Sequence, residues 1–235
     1  MRYTDAMKHS FLILIGLILV SAAAYGLYWR DHRYAEPATI TPATSGTATA
    51  YFAGGCFWCT EADFEKLPGV GEVISGFSGG TTTDPDYVSV SAHTTGHLES
   101  IEVRYDPNAT SYETLVRFFF AHIDPTDPNG QFADQGDSYQ SAVFYQSETE
   151  RQTVVAEIKR LTDVQVYPKP IVTVVRPFEH FYPAEEYHQD YWKKNPVRYR
   201  YYRNGSGRDR YLEQACVWRQ AKNLSCESTE TEKNH

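Results

Sequence analysis

Two consecutive glycines, Gly54 and Gly55, constrain this chain most, because they separate a strand pattern from a helix pattern and so force the backbone to turn from sheet into helix there. Residues 47–52 alternate as a strand does, and residues 60–67 carry helix formers up to the Pro68-Gly69 stop. Cys56 then falls in the first helical turn, where unpaired N–H groups and the positive dipole end favour a thiolate over a thiol. Cys59 lies three positions on, with Phe57 and Trp58 between them. The pattern points to redox or nucleophilic sulfur chemistry. A buried structural cysteine is the commoner use of a lone Cys, but the paired spacing and the helix start argue against it here.

A chain of 235 residues with 41% hydrophobic content can bury one substantial core, which predicts a single catalytic domain. Its net charge of −8 and lack of a basic block argue against a nucleic-acid partner. Four cysteines are too few for a disulfide scaffold of this size. Residues 10–29 carry no charge, enough to span a bilayer as a helix or to serve as a signal segment. The predicted division is a cytoplasmic segment 1–9, an anchor or signal helix 10–29, a Pro/Thr/Ala/Ser-rich linker 30–46, a catalytic domain 47–219 and a polar, mobile tail 220–235. Anchored or released, the domain is expected outside the cytoplasm, in a bacterial periplasm.

Further strands are predicted at 70–77, 98–105, 141–145 and 171–175, with a polar loop over 81–96. Thr110 and Glu113 form a capping box for a helix through Phe119, and Ser147 with Glu150 caps another. Pro183 suits the first position of a helix running toward Lys194, and a last helix covers 210–218. The leading strand-helix-strand-strand-helix-strand order is that of a ferredoxin-like split βαβ sandwich, a two-layer α/β (α+β) fold with extra helices and long loops.

Along the third strand Ile101, Val103 and Tyr105 share one face, which puts Glu99 on the apolar side. A carboxyl with core parity is paired, at a fraying strand end, or kept protonated by desolvation. The last case would make it an acid beside the thiol. His93 and His97 are separated by Thr94-Thr95-Gly96, a loop signal that argues against a metal site. Asp134 and Tyr139 sit in a long loop of the kind that lines sites. His188 and Tyr191 fall about a helical turn apart, explained by aromatic packing but open to ligand contact.

The motifs GCFWCTEADFEKLPGV, GFSGG, GHLESIEVRYDP, HIDPTDPNGQFADQGDSYQSAVFY and YPAEEYHQDYWKKNP, in this order over residues 48–218, resemble the methionine sulfoxide reductase A family. The resemblance implies a mixed α/β enzyme that reduces the S epimer of methionine sulfoxide, free or in proteins, with no metal or organic cofactor. It implies Cys56 as nucleophile and Glu99 as acid. Tyr87 and Tyr139 match the hydroxyls on the sulfoxide oxygen, Asp134 the pocket aspartate, Phe57 and Trp58 the methyl-binding wall, and His188 a pocket histidine. An external thioredoxin-like dithiol protein would close the cycle, and a monomer is expected.

Many members carry a recycling cysteine in the C-terminal tail, where this chain has Asn204-Gly205-Ser206-Gly207-Arg208-Asp209. Ser206 cannot serve. Cys59, on the helix face of Cys56, is the first candidate for the second thiol and Cys216 the next, while Cys226 belongs to the polar tail. A membrane-tethered CxxC thiol-disulfide oxidoreductase is the competing reading. It requires neither Glu99 nor a methyl pocket.

Overall fold

The computed structural model describes residues 21–23, 36–39, 43–44 and 46–226. The chain divides into two compact units, Met1–Glu36 and Pro37–His235, and every strand and numbered helix below belongs to the second. The apolar segment 10–29 lies outside the described residues except for 21–23, which are helical. Among the described residues no helix is long and apolar enough to cross a membrane.

The architecture is mixed α/β. Strands β1 (Ala48–Gly54), β2 (Val70–Ser78), β3 (Leu98–Tyr105), β6 (Ser141–Tyr145), β7 (Val174–Pro177) and β8 (Phe181–Pro183) form one sheet in the order β7-β6-β1-β3-β2-β8. A two-residue pair, β4 (Gly130–Gln131) and β5 (Asp134–Gln135), stands apart in the long loop. The four inner strands are antiparallel in the order β6-β1-β3-β2, the arrangement expected of a split βαβ unit. Edge strands extend it on both sides, β7 parallel to β6 and β8 antiparallel to β2.

The helices are α1 (Phe57–Phe64), α2 (Tyr87–Ser91), α3 (Tyr112–Ala121), α4 (Glu148–Asp163), α5 (Tyr191–Lys194), α6 (Pro196–Ser206) and α7 (Arg208–Gln220). Alternation along β1 shows how the core is divided. Ala50 and Phe52 join the main cluster with Phe64, Phe119, Val154 and Leu161 from the helices. Tyr51 and Ala53 point the other way, into a smaller cluster with Leu98 and Phe144 that Phe178 and Phe181 cover. That second cover explains why β3 is buried along its whole length, including the polar residues Ser100, Glu102 and Arg104. Glu102 is satisfied there by the Tyr51 hydroxyl, at 3.0 Å, and by Arg104 Nε, at 2.8 Å.

Several boundaries differ from expectation for local reasons. The loop 81–96 contains α2, which Asp86 caps by accepting from Ser89 N while Ser89 Oγ accepts from Asp86 N. Ser111, not Thr110, caps α3 by accepting from Thr114 N, and Thr110 instead packs under Gly69. The strand predicted at 171–175 runs over Val174–Pro177, where it pairs with β6. Pro183 does not start a helix: it closes β8, opposite Gly76, and Pro196 is the proline at a helix start. Gly76 is required because a Cβ there would lie 2.4 Å from both Phe181 Cζ and Tyr182 O.

Both ends of the described part of this unit are tied to its body. Ala38 N donates to Ala184 O at 3.0 Å, and Pro37 bridges Glu185, so the end of the linker lies along β8. Beyond α7, Leu224 N donates to Arg219 O, and Cys226 is disulfide-bonded to Cys216. The stretch expected to form a mobile tail is thus tied down as far as Cys226; residues 227–235 lie outside the described residues.

Phe52 is fully buried and stacks on Phe64 (5.2 Å) and Phe119 (5.0 Å), joining β1 to two helices. Phe52→Ala is expected to cost about 3–5 kcal/mol of unfolding free energy. Urea unfolding with an unchanged m-value would measure it.

Candidate active site

The β1–α1 turn positions the cysteine. Gly55 has φ +77°, and a Cβ there would come within 2.5 Å of Gln131 Cβ, so only glycine lets the long loop close on this turn. Cys56 is the cap residue before α1, one place earlier than the first helical turn expected of it, and its carbonyl accepts from Cys59 N and Thr60 N. Directly after it, Phe57 N donates to Glu99 Oε2 at 3.0 Å, which joins the start of α1 to β3.

A cavity of about 60 Å³ opens here, lined by Cys56, Phe57, Trp58, Tyr87, Glu99, Asp134, Tyr139 and Tyr202. That is room for about two waters, or for the end of a side chain rather than a whole residue. Seven of the eight lining residues were predicted as site residues. Among the residues predicted to contact substrate, His188 is the exception, because it stands behind the wall. Its Nδ1 accepts from Trp58 Nε1 at 3.0 Å, and its ring packs against Phe57 (4.9 Å) and Tyr87 (4.4 Å). Glu185 adds a second support, accepting from Tyr87 N at 3.0 Å.

Burial sets the protonation of the site. Glu99 is 2% exposed, and desolvation pushes its carboxyl up to about 8 against the opposing bond from Phe57 N. At neutral pH it carries a proton that it can donate. Burial also raises Tyr87 and Tyr139, with the negative charge of Glu99 adding to it, so both stay hydroxyl donors. Asp134 is raised by burial and accepts a hydrogen bond from the Tyr202 hydroxyl.

The cysteines depart from expectation. Burial pushes the Cys56 thiol well above the ordinary range, with the hydrogen bond to Cys59 adding to it, so the helix start does not by itself leave a resting thiolate. Cys59 is lowered, first by that hydrogen bond and then, against its own burial, by Arg208 and Arg203. Cys56 and Cys59 are free, whereas Cys216 is bonded to Cys226 and lines no part of the cavity.

Tyr202 is the lining residue that sequence reasoning missed. It comes from α6, where the run Tyr199 to Tyr202 offered an aromatic signal but no motif, and it meets Trp58 edge-on at 5.8 Å. Two other clusters stay outside the cavity. His93 bonds Ser138 Oγ and His97 bonds Thr82 O, so the two histidines do not converge. Glu61, Glu65 and Asp190 bring carboxylate oxygens together on α1 and before α5, where Lys193 bridges two of them.

A family model described as "Peptide methionine sulfoxide reductase" matches residues 48–220. Peptide methionine sulfoxide reductase MsrA 2 of Staphylococcus aureus is 44% identical over 164 residues, covering 70% of this chain and 93% of that protein. The MsrA protein of Bacillus licheniformis is 46% identical over 165 residues, covering 70% and 91%. An MsrA/MsrB protein of Vibrio cholerae is 47% identical over 76% of this chain, which spans only 47% of that longer protein. Among solved structures, reduced Mxr1 of Saccharomyces cerevisiae superposes with a TM-score of 0.63 at 30% identity, covering 67% of this chain and 91% of that one. Methionine sulfoxide reductase A of Corynebacterium diphtheriae gives 0.59 at 32% identity, covering 65% and 77%.

Because Glu99 is protonated below about 8, the first chemical step should fall as pH rises through that value. Glu99→Gln should slow this step about a hundredfold or more and remove that limb of the profile. Single-turnover rates across pH read both, and an unchanged rate in the variant removes Glu99 as the acid.

Proposed function

The chain belongs to the peptide methionine sulfoxide reductase family, and on that footing we propose that it reduces the S epimer of methionine sulfoxide, free or in proteins, with Cys56 as nucleophile and Glu99 as acid. The observation that carries this reading is the cavity itself, which gathers a thiol, a protonated carboxyl, two tyrosine hydroxyls and an aromatic wall. A sulfoxide sulfur becomes electrophilic when its oxygen is polarised, so attack by sulfur and proton delivery to oxygen belong to one event.

The Cys56 sulfur attacks as its proton passes to Cys59, whose thiol is held lower than that of Cys56. Glu99 gives its proton to the oxygen, while Tyr87 and Tyr139 donate to it. Phe57 and Trp58 take the methyl group, with His188 and Glu185 fixing the wall from behind. Methionine departs and Cys56 is left as a sulfenic acid. Cys59 then condenses with it, giving a Cys56–Cys59 disulfide and water, and an external dithiol protein of thioredoxin type reduces that disulfide. Cys59 takes precedence over Cys216 because it is a free thiol three residues from Cys56, in the turn that its backbone closes on Cys56, while Cys216 is engaged with Cys226.

The proposal extends to location: the domain works outside the cytoplasm, held or delivered by residues 10–29. The uncharged length of that segment supports this, as does a disulfide at Cys216–Cys226, a bond that persists in oxidising compartments.

Turnover with dithiothreitol on separated epimers tests the activity. Many methionines per protein are expected from the S form and none from the R form. Equal use of both epimers, or activity confined to protein disulfides, would sink the proposal. Cys56→Ser should abolish turnover.

A further inference from the structure

The cavity admits only the end of a side chain, so the rest of a polypeptide substrate must lie on its rim. One part of that rim is α6, through Tyr202. The helix belongs to a run of one charge sign: between Asp190 and Asp209 the chain has six cations and no acid, although its net charge is −8. Four of the six are engaged. Lys193 pairs with Glu65 and Asp190, Lys194 with Glu186, and Arg203 with Asp63 and Asp209. Arg208 is buried, with its Nη2 donating to Gly54 O at 2.8 Å. Arg198 and Arg200 remain, both exposed on α6, and among the described residues neither forms an ion pair.

Helical geometry separates these two. Arg198 stands one turn before Tyr202 on the same face, about 5–6 Å away between Cβ atoms, whereas Arg200 falls roughly on the opposite side. Side chains lean toward the N-terminus of a helix, which carries the Tyr202 ring over the turn that holds Arg198. Tyr201 is one turn from both Arg198 and Val197. Tyr201 and Val197, at 84% and 73%, are the most exposed large hydrophobic side chains among the described residues. One turn after Tyr202, Gly205 keeps the surface open, with nothing within 4 Å of where its Cβ would be. The inner flank of Tyr202 is closed by the buried Tyr199 and Arg203. Its outer flank is therefore a continuous exposed face, Arg198, Tyr201 and Val197, that starts at the cavity. Across the rim the exposed charges next to lining residues are acidic, Asp86 before Tyr87 and Asp137 before Tyr139.

We propose that this outer face of α6 binds the polypeptide that flanks the oxidised methionine and, through Arg198, favours segments with an acidic residue close to it. The inference rests on the sulfoxide reductase reading and names the substrate class for the same cavity. Tyr201 offers a flat amphipathic ring to flanking side chains, and Arg198 a planar fork that holds a carboxylate through two N–H groups. With Asp86 and Asp137 on the far side, an acidic side chain is drawn toward α6 and repelled from the rest of the rim.

The experiment uses full-length protein with dithiothreitol. It compares the free S epimer of methionine sulfoxide with two peptides of equal length, one carrying Glu and one Lys beside a central oxidised methionine. Wild type should show a kcat/KM about threefold to tenfold higher on the Glu peptide, mostly through KM, and high salt should narrow the gap. Arg198→Glu should close or reverse it, with kcat/KM on the free amino acid as the reference for an intact cavity. Tyr201→Ser should lower both peptides relative to that reference. Arg200→Glu makes the same charge change on the other side of the helix and should keep the wild-type gap. Equal use of the two peptides by wild type overturns the proposal. So does an Arg200→Glu effect as large as that of Arg198→Glu, which would show overall charge rather than a helix face. A defect seen only when a thioredoxin-type protein replaces dithiothreitol would assign the face to the electron donor and overturn it too. Absence of methionine from the free substrate in wild type would instead reject the underlying reading.

Discussion

The hydrogen bond from Phe57 N to the Glu99 carboxyl is the interaction on which the site depends, because it joins the first amide of α1 to the second residue of β3. The turn at Gly55 sets where α1 begins, and the register of β3 against β1 and β2 sets where Glu99 stands. The acid and the thiol are therefore neighbours through backbone geometry rather than side-chain reach. Burying that carboxyl is tolerated because it stays neutral, so the protonated acid and the closed core have one cause.

Around this bond the pocket is held by elements distant in sequence. Trp58 is fixed by His188, Tyr87 by Glu185, and Asp134 by Tyr202. These three wall residues thus each have a partner from the region that follows β8. The strands place the reacting groups, and the C-terminal third supplies the supports that keep them oriented.

What the sequence revealed follows the range of each physical signal. Strand alternation, the glycine turn and the helix caps act within a few residues, so the inner four strands, α1 and the parity of Glu99 were legible. The motif residues 56–58, 87, 99, 134 and 139 were found by resemblance, and they meet in one cavity. His188 was read as packed among aromatics and open to ligand contact, and it packs on Phe57, Tyr87 and Tyr187 behind the cavity wall, since sequence does not tell a lining ring from one behind it. Tyr202 and Arg208 went unread because their partners lie 68 and 154 residues away. The upward push on the Cys56 thiol was hidden for a related reason: the helix start is visible locally, whereas burial is a property of the whole fold.

The two cysteine pairs of this chain are in different oxidation states. Cys216 and Cys226 are joined near the C-terminus, while Cys56 and Cys59, closer still in sequence, remain thiols with Cys59 buried in a cluster with Tyr191 and Tyr199. Four chemically identical side chains are thereby sorted by access. A small oxidant diffusing over the surface finds the tail bond already made and the Cys56–Cys59 sulfurs shut in, and the cavity at Cys56 admits little more than the end of a side chain. The fold acts as a filter on what is allowed to oxidise it.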